Sequence, residues 1–164
     1  PEGFGVFSEK DVDRDDLNKR ERRRVAEYDN SVLYNDLVIS NIISTLRDKN
    51  AIMLYISDHG ENIYDGEKPS YGRSFGNFAN TDTQRDIYSI PFFIWCSNSF
   101  KRLNSEKYVS IQTAYNKLFC LADIPFLLYD LADIDFNYND NRRSIIDSNY
   151  VPHEIYLERV FPIR

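Results

Sequence analysis

Residues 51–61 read Ala51-Ile52-Met53-Leu54-Tyr55-Ile56-Ser57-Asp58-His59-Gly60-Glu61, six apolar positions in a row that run straight into a polar cluster. Asp48, Lys49 and Asn50 supply turn chemistry in front of them. A strand with one wet face would alternate polar and apolar residues, so this unbroken run predicts a strand buried on both faces of a sheet. Ser57 to Glu61 then lie at the strand's carboxyl end, where open α/β sheets bind their ligands. Asp58 and His59 are adjacent there, a carboxylate and an imidazole able to place two ligands on one divalent ion, and zinc accepts both. Gly60 is expected to let the chain turn sharply behind them. A bare Asp-His-Gly is also what a helix-capping carboxylate beside a surface histidine looks like.

Working upstream, Tyr28, Val32, Ile39, Ile42, Ile43 and Leu46 fall at three-, four- and seven-residue steps, which predicts a helix over Glu21–Arg47 with one apolar face. Before it, Glu9 to Arg24 is densely charged and reads as a solvated lead-in. The Lys19 to Arg24 run is read as a solvated helix face rather than a lipid-binding patch. Downstream, residues 62–87 contain Gly66, Gly72 and Gly76 among tyrosines, asparagines and charges, a long irregular segment of the kind that usually serves function. A second strand is expected over Tyr88–Ser97, with Pro91 at its start or on an edge because proline cannot donate to a ladder. Tyr108, Ile111, Tyr115, Leu118 and Phe119 return to helical spacing. Helix, buried strand, loop, strand, helix is an α/β layer architecture.

The 164 residues fit one domain, and 42% hydrophobic positions with 12 Tyr and 11 Phe against only 6 Gly and 6 Pro exclude a disordered or linker composition. Twenty basic against 26 acidic side chains give a net charge of −6, which disfavours a nucleic-acid partner held through phosphates. No run reaches the roughly 20 apolar residues of a membrane-spanning helix. Cys96 and Cys120 have no metal-finger spacing and are expected to be free, buried thiols.

Tyr28-Asp29-Asn30-Ser31 with Tyr34-Asn35-Asp36, then Leu54-Tyr55-Ile56-Ser57-Asp58-His59-Gly60-Glu61, then Ile90-Pro91-Phe92-Phe93-Ile94-Trp95, resembles in order and spacing the phosphoethanolamine transferases of the sulfatase and alkaline phosphatase superfamily. The resemblance covers about Glu27 to Ser97, with a looser echo in Arg143 to Pro152. It is nearer to members that modify the lipopolysaccharide core or periplasmic glycans than to those that modify lipid A. It implies an alkaline-phosphatase-like three-layer α/β/α sandwich, with residues 1–164 as the carboxyl-terminal part of the catalytic domain. The parent protein would be anchored in a bacterial inner membrane and face the periplasm. It further implies zinc as cofactor, held by Asp58 and His59 together with an acidic residue and a nucleophilic threonine expected upstream. A phospholipid would be the donor and a lipopolysaccharide or glycan the acceptor.

Similar enzymes carry a further histidine in the loop after the Asp-His pair, where this chain reads Tyr71-Gly72-Arg73-Ser74. Arg73 could hold a phosphate through its planar fork but offers no neutral nitrogen to a metal. Arg73 and Glu61 are the candidate substrate-binding residues, Glu61 also being placed to orient His59. His153, Asp29 and Asp36 are expected at the surface. Two alternatives stand beside the transferase: a sulfatase or phosphodiesterase-type hydrolase of the same superfamily, and a non-catalytic binding domain on that scaffold. The chain by itself is expected to be inactive and to self-associate through uncovered apolar edges.

Overall fold

The first helix begins where one side chain can satisfy its free amides. Asn18 Oδ1 accepts from Arg20 N and Glu21 N at 2.9 and 3.1 Å, and Glu21 Oε2 accepts in return from Asn18 N at 2.8 Å. Such a reciprocal cap typically contributes about 1 kcal/mol. In this computed structural model, which describes residues 3–65, 71–72, 86–135, 137 and 140–152, helix α1 therefore spans Lys19–Leu46. That is two residues ahead of the expected start, because the Asn18-x-x-Glu21 cap overrides the charge run. Its apolar face is also less covered than the periodicity suggests: Ala26 is buried, whereas Val32, Leu37 and Ile42 are each 43% exposed.

Strand β1 spans Ile52–Ile56, β2 Asn62–Ile63, β3 Tyr71–Gly72 and β4 Phe92–Cys96. β1 pairs with β4, and β2 with β3, the latter antiparallel with Asn62 opposite Gly72 and Ile63 opposite Tyr71. Ser97 N donates to Ala51 O at 3.0 Å and Ser57 N to Pro91 O at 3.3 Å. Those two bonds join the start of each strand to the end of the other, so β1 and β4 are antiparallel. All five β1 residues are half-buried rather than covered on both faces, since an antiparallel pair can leave a face wet where a parallel sheet under crossover helices cannot. β4 is shorter than the expected Tyr88–Ser97, and Pro91 sits just before it, offering its carbonyl where it has no amide to offer. The stretch expected to be irregular after residue 61 holds the β2–β3 pair and a helical turn at 86–88.

The chain divides into two compact units, one of Pro1–Arg47 with Tyr55–Phe92, the other of Asp48–Leu54 with Phe93–Arg164. In the first, Leu17, Ala26, Ile63, Tyr64 and Ile87 are buried. Two arginines hold Tyr64, just after β2, and Tyr71 of β3. Arg14 donates to Tyr64 O at 2.8 Å, and Arg24 donates to Tyr64 Oη at 2.9 Å while lying over the Tyr71 ring. Tyr64 is thereby held at φ 61°, a left-handed conformation uncommon for an aromatic residue.

In the second unit, Ser97 caps α2 (Asn98–Leu103) through Phe100 N, and α3 (Ser105–Thr113) follows after Asn104. The expected helical run through Phe119 stops at Thr113. Ala114, Tyr115 and Lys117 close tight turns instead, and Tyr115 is 88% exposed. Helix α4 (Ile124–Leu131) has its last carbonyls satisfied by Lys107, which donates to Asp130 O and Leu131 O at 2.8 and 3.2 Å. Buried Asp123 accepts from Arg143 Nε at 2.6 Å. Cys96 is buried and Cys120 half-buried, both as free thiols, and burial pushes the Cys96 thiol above its ordinary pKa. Among the described residues no helix is long and apolar enough to cross a membrane.

Candidate metal centre

The polar cluster leaves β1 through a turn closed by its own atoms. Ser57 Oγ donates to His59 O at 2.7 Å, which uses the hydroxyl to shape the turn. His59 Nδ1 lies 2.9 Å from Gly60 O. A carbonyl can only accept, so the proton belongs on Nδ1 and the lone pair is left on Nε2. That nitrogen faces Asp58 Oδ1 at 3.4 Å. Asp58 is open to solvent, with 86% of its side chain exposed, whereas His59 is largely covered.

Gly60 is required for a reason other than a sharp turn. Its φ is not in the left-handed region, but a Cβ there would come within 1.9 Å of Asp86 O, with Ile87 O at 3.1 Å. Gly60 N donates to Ile87 O at 2.7 Å, so the two backbones lie in direct contact. Two residues on, Asn62 is fully buried and donates to Asp86 Oδ2 at 2.8 Å and to Asp65 O at 3.3 Å. Between them half-buried Glu61 points Oε1 toward Gly72, which has φ +79° and would tolerate a methyl at 3.6 Å from that oxygen. Burial, and next the Glu61 carboxylate, push the Tyr28 hydroxyl above its ordinary pKa, so it stays a neutral donor beside that acid.

The donor set fits zinc. Ligand bonds of about 2.0–2.1 Å in tetrahedral array put neighbouring donors about 3.3 Å apart, close to the observed Asp58–His59 separation. Among the described residues no group of three or more His, Cys, Asp or Glu side chains gathers to hold a metal. Asp58 and His59 would supply two of the three protein ligands that a catalytic zinc site usually takes. Asp36 is exposed and Asp29 half-buried on α1. Arg73 and His153 lie outside the described residues. The contacts of Gly60, Asn62 and Asp86 had no signal in local spacing, because the partners are some 25 positions apart; only the glycine itself was visible.

The sulfatase family model matches residues 3–124, and the chain belongs to that family. Its particular relatives are phosphoethanolamine transferases. Phosphoethanolamine transferase EptC of Escherichia coli is 29% identical over 137 residues, 82% of this chain and 22% of that protein. Phosphoethanolamine transferase EptA of Helicobacter pylori is 32% identical over 115 residues, 69% of this chain and 20% of that protein. The C-terminal periplasmic domain of EptC from Escherichia coli superposes with a TM-score of 0.77 at 28% identity, over 93% of this chain and 42% of the other, and its complex with Zn gives 0.75. The fold is therefore the α/β fold of the sulfatase and alkaline phosphatase class. The chain spans about a fifth of the length of these curated relatives.

Proposed function

We propose that residues 1–164 form the carboxyl-terminal part of the catalytic domain of a zinc-dependent transferase, which moves phosphoethanolamine from a phospholipid to a lipopolysaccharide or periplasmic glycan acceptor. The observation that carries this is the 3.4 Å spacing of Asp58 Oδ1 and His59 Nε2 at the end of β1, with the His59 tautomer set by Gly60 O. It is supported by the family membership and by a Zn complex of a relative with the same fold. Asp58 and His59 would hold the ion, which when bound supplies a Lewis acid for phosphoryl oxygens and for a hydroxyl nucleophile. The resemblance puts that nucleophile, a threonine, and a further acidic ligand upstream in the parent protein, membrane-anchored on the periplasmic face. Within this chain the work is positional: Ser57 and Gly60 shape the turn and Gly60 O orients the imidazole, while Glu61 and Arg73 are the proposed substrate contacts.

The test is made on the parent protein. Asp58→Ala and His59→Ala each strip bound zinc, read by elemental analysis, and stop transfer from a labelled phosphatidylethanolamine donor. Arg73→Ala keeps zinc and weakens use of a phosphorylated acceptor. Unchanged zinc content in both ligand variants defeats the metal assignment, and release of free ethanolamine phosphate with no labelled acceptor would favour the hydrolase.

A further inference from the structure

The turn that carries His59 is closed into a ring by residues distant in sequence. From the imidazole inward, Nδ1 is bound to Gly60 O, Gly60 N to Ile87 O, and the neighbouring Asp86 carboxylate to Asn62, which returns to Gly60 through Glu61. The backbone contact and the side-chain contact run side by side, so neither segment can slide without breaking both. Asn62 is fully buried and Asp86 half-buried. A buried amide is costly unless its bonds persist, and one bonded to a carboxylate is shorter and stronger than a neutral pair. We propose that Asn62 and Asp86 are positioning residues, a polar clasp that holds the His59–Gly60 turn so that Nδ1 keeps its bond to Gly60 O and Nε2 stays aimed at Asp58. The clasp stands on geometry alone; its value to metal binding rests on the zinc reading above.

The experiment uses the 164-residue chain, labelled with 15N in its two histidine rings and free of metal, with His59 assigned through His153→Gln. In the parent chain the His59 ring shows one fixed tautomer with the proton on Nδ1. Asn62→Ala should give averaged ring signals like those of a solvent-exposed histidine, and zinc affinity by chelator competition should fall about 10–100-fold, as for other outer ligand-orienting partners. Asn62→Asp sets two carboxylates against each other and should do the same. Combining it with Asp86→Asn lets amide and carboxylate change places and should restore the tautomer, less the bond to Asp65 O. This swap keeps the test intact if Asn62→Ala does not fold. A fixed Nδ1–H tautomer in Asn62→Ala, or a loss of thermal stability with the ring signals unchanged, overturns the proposal. Averaging on mutation, with a parent protein that holds no zinc by elemental analysis, leaves the clasp standing and refutes the zinc reading instead.

Discussion

Replacing Gly60 with alanine is the smallest change that tests whether the His59 turn is held by backbone contact. The added methyl would sit 1.9 Å from Asp86 O and 3.0 Å from Asp86 C, and both atoms are main chain, so no side-chain rotation relieves the clash. Restoring ordinary contact parts the two segments by about 1 Å, which carries the 2.7 Å bond from Gly60 N to Ile87 O beyond hydrogen-bond range. Forced overpacking costs about 1–3 kcal/mol and the lost bond about 1 kcal/mol. The unfolded chain loses freedom with alanine, which offsets about 0.4–1 kcal/mol. The net loss is therefore about 2–3 kcal/mol, a drop of roughly 1 M in the urea midpoint for a chain of this size. Gly72→Ala is the control. There φ is +79° and the nearest atom is 3.6 Å away, so the cost is backbone strain alone, about 1 kcal/mol. Urea unfolding followed by circular dichroism reads both variants. Gly60→Ala within 0.5 kcal/mol of the parent chain, or milder than Gly72→Ala, would refute the close-contact account.

Burial, then the charges of Asp123 and Cys120, push the Tyr150 hydroxyl up to about 12, and it donates to Leu118 O at 2.6 Å. Because the folded pKa lies above the ordinary value near 10, this contribution to stability is complete below pH 10 and is lost as pH rises through 12. An absorbance titration should show one tyrosine ionising about two pH units late, and Tyr150→Phe should remove it. Arg143→Ala leaves buried Asp123 without its 2.6 Å partner and should cost about 2–3 kcal/mol in urea unfolding, less than for a wholly buried pair because Arg143 is partly wet. The exposed Val32, Leu37 and Ile42 on α1 should make the isolated chain self-associate in light scattering, and Leu37→Glu with Ile42→Glu should return it to a monomer. The same isolated chain, with zinc supplied, should show no phosphoethanolamine transfer, since two ligands without a nucleophile do not complete a site.

What the sequence determined by itself was local and periodic. Six apolar residues running into Ser57-Asp58-His59 made a strand, and three- and four-residue apolar spacing made α1; both elements hold because their causes lie within a few residues. The start of α1 was missed although its cause is local, because the charge run around Asn18-x-x-Glu21 obscured the cap. Tertiary structure decided everything that depends on distant partners. The antiparallel pairing of β1 with β4 rests on hydrogen bonds between Ala51 and Ser97 and between Ser57 and Pro91, which no periodicity encodes. Apolar spacing marked Val32 and Ile42 for burial, but burial needs a neighbour, and within this chain they stay exposed. Gly60 looked like a turn glycine and is one of close approach, because the atoms it must avoid belong to residue 86. The adjacency of Asp58 and His59 was thus written in the sequence, while what holds their turn in place, Asn62 against Asp86 and Gly60 against Ile87, exists only once the chain has brought those segments together.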